Sequence, residues 1–101
     1  MIEKTINNLP YRARIYINNQ VLLPANLVKA LNLEWVRYAN IVISHRDAVI
    51  ELEKVLLLRT KRTASRQFTI PKEIREKYGI MPLDEIEIIS IEPIKARKSK
   101  P

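Results

Sequence analysis

Between Gln67 and Ile91 the spacing of apolar residues changes period twice, and proline or glycine stands at each change. Gln67-Phe68-Thr69-Ile70 alternates, which predicts a short strand. Pro71 keeps Ile70 extended, and its fixed φ suits the first position of a helix. Ile74 and Tyr78, four apart, then share one helical face, leaving Lys72, Glu73, Arg75, Glu76 and Lys77 for solvent. Gly79, the single glycine of the chain, suits the left-handed position of a helix cap closed by the apolar Ile80. Pro82 prevents continuation, and from Glu85 the period is two again, which predicts a strand through Ile91.

The same order of elements occurs earlier in the chain. Tyr11, Ala13, Ile15 and Ile17 alternate with Arg12, Arg14 and Tyr16 up to Asn18-Asn19, and QVLLPANLVKALNL follows. Setting Pro24 against Pro71 gives an offset of 47, at which Gln20 meets Gln67, Leu27 meets Ile74, Leu31 meets Tyr78 and Leu33 meets Ile80. Asn32 meets Gly79, and Asn is the next most tolerant residue at a left-handed helix end. Ala39 and Ile41 then meet Ile86 and Ile88, so the following strands agree in phase. This reads as an internal repeat within one domain of 101 residues, copy one covering about 11–53 and copy two about 58–94.

Between these segments, Tyr38 to Ser44 predicts a strand, His45-Arg46-Asp47 a turn, and Ala48 to Glu53 a returning strand. At the same offset, Lys54 to Ala64 matches the first strand, which places Arg59 and Lys61 on Arg12 and Arg14, and Arg66 on the turn residue Asn19. Copy two has no returning strand, because residues 95–101 form a basic tail without an apolar face. The alternating Ile2–Ile6 is the nearest segment that could fill that slot. Trp35, after the first helix, is expected to plug the core.

Phe68-Thr69-Ile70-Pro71-Lys72-Glu73-Ile74-Arg75, followed by Gly79-Ile80 and by Asp84 ahead of a strand, resembles the DNA-binding half of the AbrB/SpoVT swapped-hairpin family of transition-state regulators and antitoxins. Copy one keeps less of the pattern, with Leu22, Val28 and Arg37 at the places of Thr69, Arg75 and Asp84. The resemblance implies two copies interleaving their strands in a compact barrel. With both copies on one chain, the expected fold is mostly β with two short helices, a swapped-hairpin barrel formed as an intrachain pseudo-dimer. It also implies that basic residues of the first strand, the turn and the early helix approach duplex DNA. By position these are Lys61, Arg62, Arg66 and Arg75 in copy two, and Arg12 and Arg14 in copy one.

Charge independently directs attention to a polyanion. The net charge is +7, and residues 54–101 hold twelve Lys/Arg against six Asp/Glu, whereas residues 1–53 hold six against five. Arg12, Arg14, Arg59 and Lys61 share a strand phase, Asn19 and Arg66 occupy matching turns, and Arg62 and Arg75 flank them, which makes these eight the candidate nucleic-acid-binding residues. Other chemistry is poorly provided for. His45 reads as a solvated turn residue, one glycine builds no phosphate-cradling loop, and no cysteine offers a thiolate, so no catalysis, cofactor or metal is expected. No apolar run approaches the ~20 residues of a membrane span, and no signal peptide is evident, so a cytoplasmic, nucleoid-associated protein is expected. The expected partner is double-stranded DNA, with self-association left open and no membrane partner. The rival is an antitoxin-like or other protein-binding module, disfavoured by the short basic tail. Single-stranded RNA binding is disfavoured by an aromatic content of 6%.

Overall fold

Pro24 and Pro71 each open a helix of fewer than three turns, and the two helices are closed by the same hydrogen bonds. In the computed structural model, which describes residues 9–60 and 63–94, α1 spans Ala25–Ala30 and α2 spans Lys72–Tyr78. The Val28 N–H donates to Pro24 O and the Arg75 N–H to Pro71 O, both at 3.0 Å. At the other end, Asn32 and Gly79 take left-handed φ values of 57° and 66°, and Leu33 and Ile80 donate back to Val28 O and Arg75 O, both at 2.9 Å. That is the six-to-one bond of a Schellman cap, with the capping apolar residue buried in each case. The helices differ in depth. Leu27 and Val28 are fully buried, whereas α2 buries no residue completely: Ile74 and Arg75, at the places of Leu27 and Val28, both stay partly exposed.

The strands are β1 (Tyr11–Arg14), β2 (Gln20–Leu23), β3 (Tyr38–His45), β4 (Ala48–Leu56), β5 (Leu58–Arg59), β6 (Arg66–Thr69) and β7 (Glu85–Ile94). They form two antiparallel sheets, one ordered β1-β7-β3-β4 and the other β2-β6-β5, and no pairing among the described residues closes them into one barrel. The chain is therefore mostly β with two short helices. Its halves are interleaved, since β1 and β3 both pair with β7 and β2 pairs with β6. The β2–β6 ladder maps onto itself when the halves are exchanged at the 47-residue offset: Gln20↔Thr69 becomes Leu22↔Gln67. Side chains from both sheets and both halves fill the core, among them Ile15, Leu23, Leu27, Ile43, Phe68 and Ile88.

One part of the expected alignment is overturned. β1 sets Ala13 against Ile86 and Arg14 against Glu85, and the Ile15 N–H donates to Asp84 O. In the other half, Ala39 pairs with Val55, Tyr38 pairs with Leu56, and the Leu57 N–H donates to Arg37 O. Val55, Leu56 and Leu57 thus hold the places of Ala13, Arg14 and Ile15, an offset of 42 instead of 47. Burial explains the shift. The longer offset would bring Thr60 and Arg62 to the core positions of Ala13 and Ile15, while the shorter one supplies Val55 and Leu57, 6% and 5% exposed. The strand reaches them through a bulge at Lys54 (φ 52°), whose N–H is taken up by Asn40 Oδ1 at 2.8 Å. β4 therefore serves as the returning strand of one half and the first strand of the other.

Two smaller expectations also change. Trp35 is 51% exposed, because Leu33 and Val36 take the core positions of its loop. His45 is the last residue of β3 and only 2% exposed, and the turn consists of Arg46 and Asp47 alone. The segment Ile2–Ile6, the basic tail 95–101, Lys61 and Arg62 lie outside the described residues.

Candidate nucleic-acid interface

The alternation that buries one face of β1 leaves Arg12 and Arg14 exposed on the other. They do not stand on a purely basic surface. Their partners across the ladder are Glu87 and Glu85, and Arg14 Nη2 lies 3.3 Å from Glu85 Oε2 with both side chains more than half exposed. Such a solvated pair contributes little to stability, yet it partly neutralises the arginine. Arg12, Glu85, Glu87, Ser44 and Arg46 border an open hollow of about 290 Å³ of mixed charge.

Arg59 is exposed on β5 at the edge of the three-stranded sheet, so it stands in a different sheet from Arg12. With the 42-residue alignment, Lys54 is the residue equivalent to Arg12. The expected basic stripe of Arg12, Arg14, Arg59 and Lys61 is accordingly not one repeated face, since Arg59 stands in another sheet and Lys61 lies outside the described residues. Arg59, Lys61 and Arg62 instead belong to a connection that is five residues longer in copy two than the β1–β2 turn of copy one, the difference between the two offsets. Its base is a hydroxyl cluster. Thr63 Oγ1 lies 2.6 Å from Ser65 Oγ and 3.2 Å from Thr60 Oγ1, and Thr60 Oγ1 also bonds Ser65 Oγ.

Arg66 is corrected from an exposed turn residue to a buried one. It is 6% exposed, and its guanidinium donates to the carbonyls of Ala64, Ser65 (3.1 Å) and Glu34 (2.9 Å). A guanidinium has five donors in a rigid fork, and here the fork ties the connection before β6 to the loop after α1. Its task is internal.

Asn19 and Arg75, 56 positions apart in the chain, are brought together. Asn19 has φ 67° and its carbonyl accepts the Ile70 N–H at 3.2 Å, while Arg75 Nε donates to the Ile70 carbonyl at 3.0 Å. Both line an open cavity of about 500 Å³ with Glu76, Gly79, Ile80, Met81 and Pro82. Asn19 Oδ1 is buried there without a hydrogen-bond partner.

Sequence reasoning missed a tie between His45 and Asp84. His45 Nε2 donates to Asp84 Oδ2 at 2.9 Å, the Met81 N–H donates to the same oxygen at 3.0 Å, and Arg46 Nη2 stands 4.0 Å away. The Met81 N–H first, and the His45 hydrogen bond second, hold the Asp84 carboxyl below the usual carboxylate range. The available signal was Asp84 itself, an acid just ahead of a strand, but its partner is 39 residues distant. Among the described residues no group of three or more His, Cys, Asp or Glu is placed to hold a metal, and no helix is long and apolar enough to cross a membrane. No known protein family, curated protein or solved structure matches the chain.

Proposed function

We propose that this protein binds double-stranded DNA, as two diverged swapped-hairpin copies joined in one chain. The carrying observation is the location of its charge: six of the seven net positive charges fall in residues 54–101, and Arg59, Lys61 and Arg62 lie in the connection by which copy two is longer than copy one. Phosphate contacts of this kind release counterions and need no sequence-specific base reading. The extended basic connection is the principal contact, and Arg75 adds a cation at the other end of the β2–β6 ladder, beside Asn19. Arg12 and Arg14 contribute less, because Glu85 and Glu87 face them. Interleaved halves support the reading, since they set equivalent connections at opposite ends of the β2–β6 ladder.

The test is retention of random and genomic duplex fragments by the full chain at two salt concentrations. Affinity should fall steeply with salt, by about 0.9 in log–log slope for each phosphate contacted. An absence of duplex binding at low salt would overturn the proposal.

A further inference from the structure

The β1–β2 turn is unlike the rest of the basic surface. Tyr16-Ile17-Asn18-Asn19-Gln20 carries no charge, and Ile17 is 76% exposed, more than any other large hydrophobic side chain among the described residues. The turn is held on all sides. Asn19 N–H donates to Tyr16 O at 2.9 Å, Tyr16 N–H to Gln20 O at 2.8 Å, and Gln20 N–H to Asn18 Oδ1 at 3.2 Å. Ile15 is clamped from both sides, its N–H on Asp84 O (2.9 Å) and its carbonyl on the Leu83 N–H (2.8 Å). That clamp ties the strand ahead of the turn to a second segment with exposed apolar residues. Leu83 is 58% exposed and held at φ 74°, a strained conformation for a branched side chain, and Met81 is 59% exposed.

An uncharged, hydrogen-bonded turn with an exposed apolar residue flanked by amides has the chemistry of a minor-groove wedge. Proteins that kink DNA insert Ile, Leu or Met between base pairs and read the groove floor with Asn and Gln. The minor groove of B-DNA is about 6 Å wide, and a single turn presents a narrow edge to it. An anionic duplex is complementary to the net charge of +7. We infer that Ile17 enters a base step of bound duplex DNA and bends it, with the exposed Asn18 amide against the groove, while the Gln20 amide stays within the protein, accepting from Asn18 Nδ2 at 3.2 Å and donating to Thr69 Oγ1 at 3.4 Å. The inference rests on the DNA reading and deepens it.

The experiment uses the full chain with an end-labelled duplex of about 20 base pairs, a length over which a sharp bend is measurable by energy transfer. Relaxation of closed circular plasmid by topoisomerase reports unwinding alongside. Wild-type protein should shorten the end-to-end distance and change the linking number. Ile17→Asn and Ile17→Ala should abolish most of both effects and weaken duplex binding about tenfold, with the salt slope unchanged because no phosphate contact is removed. An unchanged thermal melt shows the variants folded; Ile17 is exposed, so both should pass. Bending and unwinding equal to wild type in both variants would overturn the wedge while leaving DNA binding intact. So would a wild-type complex that is straight, or a change in sedimentation on substituting Ile17, which would make the tip a contact between copies of the chain. Failure of wild-type protein to bind any duplex at low salt would remove the DNA reading and the wedge together.

Discussion

Arg66 shows how residue type misleads when its environment is unknown. In a basic stretch it reads as one more cation for a phosphate, yet it is buried and its guanidinium is consumed by the carbonyls of Ala64, Ser65 and Glu34. Arg66→Ala removes the guanidinium from those carbonyls, of which only Ser65 O keeps a partner in Thr60, and a loss of about 2–4 kcal/mol in urea unfolding is expected, with Arg66→Lys recovering only part of it. At the same scale the helix caps were legible. Gly79 and Asn32 stand where a left-handed residue is needed, and both have positive φ. A Cβ at Gly79 would meet nothing within 4 Å, so the cost of Gly79→Ala is purely conformational. It should be about 1 kcal/mol in the same assay, and Gly79→Asn should cost less.

At the scale of elements, most of the fold could be read because periodicity and proline act locally. Both helices, the strand after each, and the hairpin of β3 and β4 lie where the pattern places them. The first strand of copy two could not be placed by the same offset, because a single shift was carried past an insertion. The contrary signal was present: at that offset Arg62 fell on the core residue Ile15. Val55 and Leu57 fill the core instead, while Leu58 is 43% exposed. Leu57→Ala should therefore cost about 2–4 kcal/mol in denaturant unfolding, and Leu58→Ala well under 1 kcal/mol. Comparable losses for the two would mean that the strand is not in the shorter register. The site was less legible than the fold. Asn19 and Arg75 were both identified, but their meeting depends on Ile70 bonding each of them, and that is a tertiary fact.

For the whole molecule, what matters is how the halves are fastened. Besides the ladders to β7, His45 at the end of β3 bonds Asp84 in the loop ahead of β7, and in copy one Arg37 stands at the place of Asp84, so this tie is not duplicated. The fold lowers the Asp84 pKa, so its carboxylate stabilises fully above the unfolded-chain value of about 3.9, and that contribution is lost as pH falls through the lower folded value. Acid unfolding followed by circular dichroism should show this as a drop in stability below about pH 4. Asp84→Asn should be less stable at neutral pH and flatter across that window; identical acid profiles would remove Asp84 from the account.

Phosphate binding at this scale is a matter of which cations are free. Arg12 and Arg14 face Glu87 and Glu85, and a phosphate drawn to that sheet meets two carboxylates as well as two guanidinium groups. Arg59, Lys61 and Arg62 lie in a connection that contains no acid from Leu57 to Pro71. Replacing all three by Ala should lower the log–log salt slope of duplex binding by about 2.7, if each neutralises one phosphate at about 0.9 apiece. Arg12→Ala with Arg14→Ala should change it by less than one such increment, since Glu87 and Glu85 stand opposite them and Arg14 is already paired with Glu85. Arg12 and Arg14 in β1 and Arg59 in β5 are exposed, so their removal should leave the melting temperature unchanged. A larger loss from the β1 pair would move the interface to the four-stranded sheet. Wild-type slopes in both variants would leave the extended connection as solvated surface and favour a protein partner over DNA.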